Sequence, residues 1–281
     1  MNIKDDGQQS VEIEIEGITF CYQVRGQGPA AVLLHGFTGC GANWFEIVDK
    51  LADDYRVVTI DLLGHGKSSA PVDAGWYAME TAGRHLRTLI EAQVGEAVHL
   101  LGYSMGGRLA LYCALQFPDL VRSLTLESAS PGLESESERQ QRRAADERLA
   151  FRIEDEGLLA FVKYWEALPL FSSQQRLPDM VRRRLHEQRL ANRVDGLAGS
   201  LRGLGTGAQP NLWGRLGELD KPVLLITGEL DEKFTQINQR MLNLLPAARL
   251  EVVSGAGHTV HLEAKHVFIE LVRKFWKGSK A

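Results

Sequence analysis

The sequence predicts an α/β protein: a mostly parallel central sheet flanked by helices, with a helical insertion late in the chain. Three observations carry this. Short all-apolar runs recur at Ala31–Leu34, Val57–Ile60 and Val98–Leu101, separated by helix-length amphipathic sequence. That is the pattern of parallel strands covered on both faces by their crossover helices. The rhythm stops near Pro131 and resumes at Pro222. Finally, the third run leads through Gly102-Tyr103-Ser104-Met105-Gly106-Gly107 into a helix-like stretch, a Gly-x-Ser-x-Gly arrangement between a strand and a helix.

Taken in order, Val11, Ile13 and Ile15 alternate with Glu12, Glu14 and Glu16. Gly17 breaks the run, and Ile18, Phe20, Tyr22 and Val24 resume it, which predicts a β-hairpin with one wet face. The three buried strands follow, with connecting helices over Asn43–Leu51 and Thr81–Ala92 and a helix over Arg108–Phe117. Ser123–Leu126 continues the strand series. The insertion is helical and charged over Glu134–Arg152, Gly157–Leu168 and Pro178–Arg193. Strands return at Pro222–Thr227 and Arg249–Val253 around a helix at Gln236–Leu245, and a last helix spans about Lys265 to Lys277. The expected organisation is a core domain of residues 1–130 and 214–281 and a helical cap of residues 131–213. Entering after the strand that follows the Ser104 helix, the cap would form a lid over that serine.

A net charge of −4 gives no reason to expect nucleic acid or an anionic membrane as partner. Apolar runs such as Ala30–Leu34 are far too short to span a bilayer. Met1–Ser10 is polar, carries Asp5 and Asp6, and lacks the basic start and apolar core of a signal peptide. Cys21, Cys40 and Cys113 are scattered and odd in number, which reads as free thiols in a reducing compartment, the cytoplasm. No metal or cofactor is expected.

A serine hydroxyl is a weak nucleophile or base until a histidine takes its proton and a carboxylate orients that histidine. His258 is the favoured partner for Ser104, because Gly255-Ala256-Gly257-His258 forms a loop just after the last strand. His261 is its rival, although Val260 and Leu262 suggest a packed helix start. Asp231 is the favoured acid, since Gly228-Glu229-Leu230-Asp231 follows a strand and so lies at the carboxyl edge of the sheet. It would serve equally as a turn residue or helix N-cap. Glu127 is the alternative acid and Glu229 a weaker one. Charge on a carbonyl oxygen needs fixed donors. The backbone N–H groups of Met105 and of Phe37, in His35-Gly36-Phe37-Thr38-Gly39, are the candidates for that oxyanion hole. His35 is expected to brace its loop. Gly64-His65-Gly66-Lys67-Ser68-Ser69 lacks the spacing of a phosphate-binding loop and reads as a structural turn.

The span Glu134–Arg215 holds thirteen arginines and one lysine, Lys163, against twelve acidic residues, so its helices are arginine-rich without being strongly basic. Arginine is the residue for planar recognition of carboxylates. Arg108 lies one helical turn beyond Ser104 and needs a partner there, either a substrate carboxylate or an internal acid.

His35–Gly39, Asp61-Leu62-Leu63-Gly64-His65-Gly66-Lys67-Ser68 and the Ser104 motif together resemble the α/β-hydrolase superfamily. Glu138-Arg139 with Arg142 and Asp146, Phe161-Val162 with Trp165, Leu168–Phe171, Gly196-Leu197-Ala198, Ser200–Gly203, Gly205–Gly207, Gln209-Pro210 and Leu212-Trp213 are similar to the MenH family of 2-succinyl-6-hydroxy-2,4-cyclohexadiene-1-carboxylate synthases. The resemblance implies a lyase without cofactor that eliminates pyruvate from a small-molecule polycarboxylate, in menaquinone or phylloquinone biosynthesis. Ser104, activated by His258 and Asp231, would act as base, with substrate contacts at Tyr103, Arg108, Arg142, Trp165 and, on a looser match, Arg189. An esterase or carbon–carbon bond hydrolase would use the same triad on an acidic substrate, and a signal-binding relative of the fold could retain it.

Overall fold

A computed structural model describes residues 10–279; apart from Ser10, the polar N-terminal segment lies outside the described residues. Eight strands form one sheet in the order β1 (Val11–Ile15), β2 (Ile18–Arg25), β4 (Arg56–Ile60), β3 (Ala30–Leu34), β5 (Val98–Tyr103), β6 (Val121–Glu127), β7 (Val223–Gly228) and β8 (Ala248–Val253). The pairs β1–β2 and β2–β4 are antiparallel; the rest are parallel. Alternation along each buried strand divides the core in two. Ala30, Val32 and Leu34 join one apolar cluster; Ala31 and Leu33 join the other.

The helices are α1 (Phe45–Leu51), α2 (Met79–Gln93), α3 (Met105–Gln116), α4 (Glu136–Glu166), α5 (Asp179–Leu190), α6 (Val194–Leu204), α7 (Glu232–Leu242), α8 (Val260–Glu263) and α9 (Lys265–Gly278). α2 and α3 cover one face of the sheet, and α1 and α9 the other. No helix among the described residues is long and apolar enough to cross a membrane. The expected wet hairpin face holds in β1, where Glu12 and Glu14 are exposed. It fails in β2, where Phe20, Cys21 and Tyr22 are all buried. The loop after β4 lies over β2 there: the Cys21 N–H donates to Ser68 Oγ at 2.8 Å.

Among the described residues no strand lies between β6 and β7; that stretch holds α4, α5 and α6. Ser135 and Glu138 start α4 as a reciprocal cap, each side chain accepting the other's backbone N–H. Gly157 breaks α4 with φ 76° and ψ 172°, where the sequence predicts a new helix. The segment has its own small core, in which Ala150, Ile153, Phe161 and Val162 of α4 meet Leu197, Ala198 and Leu201 of α6, with Phe37 packed against it. α6 itself is not predicted, because Gly196, Gly199 and Gly203 are poor helix formers. The space explains them: a Cβ on Gly196 would sit 2.1 Å from the Gly64 carbonyl oxygen, and one on Gly199 2.4 Å from the Tyr77 ring. α7 begins earlier than predicted, because Asp231 caps it.

Candidate active site

Ser104 sits at the N-terminus of α3 with φ 48° and ψ −106°, a conformation rare outside glycine. The turn holds because its neighbours lack side chains. A Cβ on Gly106 would lie 2.4 Å from the Leu34 carbonyl oxygen, and one on Gly102 2.4 Å from that of Gly106. The Ser104 N–H donates to the Glu127 carbonyl at 2.8 Å, fastening the elbow to the end of β6.

His258 reaches over this turn. Its Nε2 lies 3.2 Å from Ser104 Oγ, and its Nδ1 lies 2.6 Å from Asp231 Oδ2. Asp231 does both jobs the sequence allows it: Oδ1 accepts the Phe234 N–H at 3.4 Å as the α7 cap, leaving Oδ2 for the imidazole. Both side chains are buried, and the Phe234 ring packs 4.7 Å from the imidazole. The orientation leaves Nδ1–H donating to the carboxylate and Nε2 free to take the hydroxyl proton. Met105 is the first residue of α3, so its N–H is one of the helix's unused donors. Phe37 lies on the loop after β3, across the same cavity.

That cavity, about 710 Å³, is lined by Phe37, Tyr103, Ser104, Arg108, Trp165 and His258 among others. Arg108 Nη1 donates to the Leu204 carbonyl at 2.6 Å and to Gln209 Oε1 at 3.4 Å. Of the two partners the sequence allows, the internal acid is absent: both groups bonded to this guanidinium are neutral, and no carboxylate among the described residues pairs with it. Burial, reinforced by Arg142, lowers its pKa to about 10, so it stays charged. Arg142 lines the same wall and donates to Asp146 Oδ1 at 2.8 Å. Lys233 and Arg240 add two cations that sequence reasoning missed; the only signal was their position on the helix that Asp231 starts. Ser128, at φ 48° with a buried hydroxyl that finds no partner among the described residues, also lines this cavity and was missed.

Trp165 lines the cavity within a cluster of Phe37, Phe161 and Phe171. Tyr103 lines it too, its hydroxyl 3.1 Å from Thr259 Oγ1, and burial pushes its pKa up. Arg189 stands apart. It donates to Glu166 at 2.8 Å and to Gln174 Oε1 at 3.1 Å, and it lines a neighbouring cleft of about 40 Å³. The two rivals in the sequence meet each other: His261 Nδ1 lies 2.8 Å from Glu127 Oε2, and the His261 N–H donates to the same carboxylate. Glu229 is exposed and accepts from Ser254 and Gly255. His35 spans its loop, with Nδ1–H donating to the Gly36 carbonyl and Nε2 accepting the Leu62 N–H. The Gly64–Ser69 turn is held by Asp61, which accepts the Lys67 N–H. The three cysteines are free, and burial pushes the Cys40 thiol up to about 12.

The family model of the α/β-hydrolase fold matches residues 29–265. A protein of Bacillus subtilis (strain 168), provisionally named a 2-succinyl-6-hydroxy-2,4-cyclohexadiene-1-carboxylate synthase, is 47% identical over 90% of this chain and 94% of its own. A protein of that name from Salmonella newport (strain SL254) is 35% identical over 84% of this chain and 88% of its own. The structure of MenH from S. aureus superposes with a TM-score of 0.89 at 36% identity, covering 92% of this chain and 99% of that one.

Proposed function

The chain belongs to the α/β-hydrolase fold family and, within it, to the 2-succinyl-6-hydroxy-2,4-cyclohexadiene-1-carboxylate synthases, and we propose that it eliminates pyruvate from 2-succinyl-5-enolpyruvyl-6-hydroxy-3-cyclohexene-1-carboxylate. The step belongs to menaquinone or phylloquinone biosynthesis. Ser104 acts as base in this reading. Its proton passes to His258 Nε2, and the alkoxide takes the ring proton α to the succinyl ketone. The Phe37 and Met105 N–H groups hold the resulting enolate oxygen. The electron pair moves through the ring alkene and expels the enolpyruvyl oxygen, which takes up a proton, and the enol relaxes to pyruvate. Asp231 stabilises the transient imidazolium.

The observation that carries this reading is Arg108, a guanidinium buried one turn from Ser104 with only neutral acceptors. A neutral ester has no use for it, whereas a substrate bearing several carboxylates supplies the missing charge. Of the other cations lining the cavity, Arg142 is paired with Asp146 and Arg240 with Glu134, which leaves Lys233 to add to the charge of Arg108, and Tyr103 and Trp165 give the ring its apolar seat. We read residues 131–213 as a cap over this site, and place the protein in the cytoplasm on its three free, scattered thiols. The test is pyruvate release from the enolpyruvyl substrate, followed by coupled lactate formation. Turnover supports the lyase; its absence from folded protein, with a burst on aryl esters, supports an acyl-transfer hydrolase instead.

A further inference from the structure

A chain of side-chain hydrogen bonds joins the inserted helices to the two catalytic segments. Arg189 Nη2 donates to Gln174 Oε1 at 3.1 Å, Gln174 Nε2 donates to Thr259 Oγ1 at 2.8 Å, and Thr259 Oγ1 lies 3.1 Å from the Tyr103 hydroxyl. Thr259 follows His258 and Tyr103 precedes Ser104, so the chain ends beside both reacting groups. Gln174 and Thr259 are buried, 7% and 2% exposed, so water does not compete for these bonds. The loops are pressed together here, since a Cβ on Gly257 would sit 2.1 Å from Ser173 Oγ.

The direction of the chain follows from donor chemistry. A guanidinium only donates, so the Gln174 oxygen faces Arg189 and its nitrogen faces Thr259. Thr259 Oγ1 therefore accepts from Gln174. Its second lone pair can also accept from Tyr103, but its own proton has no other acceptor among the described residues, so donation to Tyr103 is the arrangement that satisfies it. In that arrangement Tyr103 accepts and its own O–H is left free; Tyr103 lines both the small cleft it shares with Gln174 and Thr259 and the cavity it shares with Ser104 and His258.

We propose that Gln174 is a positioning residue that makes the Tyr103 hydroxyl a hydrogen-bond donor to an anionic oxygen of the substrate, with Arg189 fixing the orientation of the Gln174 amide. The inference rests on the lyase reading only for the identity of that oxygen. Arg189 thus acts on substrate through three other side chains.

Gln174→Glu tests it by reversing the chain at nearly constant volume. A carboxylate accepts from Thr259, which then accepts from Tyr103 and takes the phenolic proton away from the cavity. Pyruvate release is measured for the wild type, Gln174→Glu, Gln174→Met, Tyr103→Phe and the Gln174→Glu/Tyr103→Phe pair. The expected result is a loss of about 10- to 100-fold in kcat/KM for Gln174→Glu, the scale of one hydrogen bond to a charged group. The loss is smaller for Gln174→Met, and Gln174→Glu has no further effect on Tyr103→Phe. An equal loss in the Met variant, or the same factor lost with and without the tyrosine hydroxyl, overturns the inference and leaves Gln174 a packing residue. If Gln174→Glu does not fold, Thr259→Val takes its place in the same cycle with the same required coupling. Failure of the wild type to release pyruvate refutes the lyase reading instead, and the cycle is then read on hydrolysis of an ester that bears a carboxylate, mono-p-nitrophenyl succinate.

Discussion

Two buried histidine–carboxylate pairs stand on either side of Tyr103. His258 and Asp231 are joined at 2.6 Å, His261 and Glu127 at 2.8 Å, and all four side chains are almost wholly inaccessible. The Tyr103 ring lies 5.5 Å from one imidazole and 5.0 Å from the other. The pairs differ in what lies beyond the imidazole. Nε2 of His258 meets Ser104 Oγ at the wall of a large cavity. The His261 ring is enclosed by Trp44 at 4.3 Å and Phe268 at 6.0 Å, while Glu127 also accepts its backbone N–H. The same two functional groups make a proton relay where a hydroxyl and a cavity are present. They make a structural tie, binding the histidine loop to the strand end behind the elbow, where no hydroxyl bonds the imidazole and the adjoining cleft is only about 40 Å³.

The sharpest test of that contrast is at the serine. Ser104→Ala should cost about 10⁴- to 10⁶-fold in kcat with an unchanged melting temperature, because it removes the oxygen that takes the substrate proton while the fold around it is unchanged. Near-normal turnover would refute the triad. The next test sets the two carboxylates against each other. Asp231→Asn should lower kcat by about 10³- to 10⁴-fold through the wrong imidazole tautomer, with little loss of stability. Glu127→Gln should do the reverse, costing about 1–3 kcal/mol of unfolding free energy and leaving kcat of the folded fraction little changed. A large kcat loss in Glu127→Gln would make the second pair a catalytic one.

Arg108→Met keeps the apolar stem buried and removes the charge. It should raise KM and lower kcat, with a combined loss of about 10- to 100-fold for the acidic substrate. Unchanged kinetics would make Arg108 a brace for the Leu204 carbonyl. A further test concerns His35 and His65, whose rings bond only backbone groups. Burial lowers the pKa of His35 to about 4 and of His65 to about 3. Their folded values lie below the unfolded one, so the unfolded chain binds the protons first. The stability they contribute is full above about pH 6.5 and is lost as pH falls toward 4, about 3 kcal/mol for His35. Urea midpoints between pH 7 and 4.5 should fall accordingly, with a shallower slope in His65→Asn.

What the sequence made legible was local. The strands, the Ser104 turn and the glycine loop before His258 each announce themselves within a few residues, and the structure brings Ser104, His258 and Asp231 within bonding distance. The illegible part depended on partners far away in the chain. Glu127 and His261 each looked like a competitor for a catalytic place; only the packing of β6 against the α8 loop shows that they take each other. The sequence leaves Arg108 with either a substrate carboxylate or an internal acid, and carbonyl acceptors from residues 204 and 209 cannot be foreseen from composition. Arg189 matches a substrate-binding position, and Glu166 and Gln174 hold it in a cleft that adjoins the cavity through Phe37, Tyr103, Trp165 and Phe171. α6 went unread because its glycines weaken the helix signal in order to permit a contact invisible in one dimension.

That contact constrains how the site can open. α6 is bolted to the core backbone against backbone at Gly196 and Gly64, with Tyr77 under Gly199 and Gly203, and seven of its residues are buried. α5 buries only Leu185 and is anchored largely by polar links such as Arg184 to Glu46. The inserted segment thus offers one firmly fixed jaw and one more loosely held: if the site opens, α6 is expected to stay with the sheet and α5 to be the part that moves. Amide exchange should be slow along α6 and faster along α5, and equal rates in the two would mean that the insertion rocks as a single body.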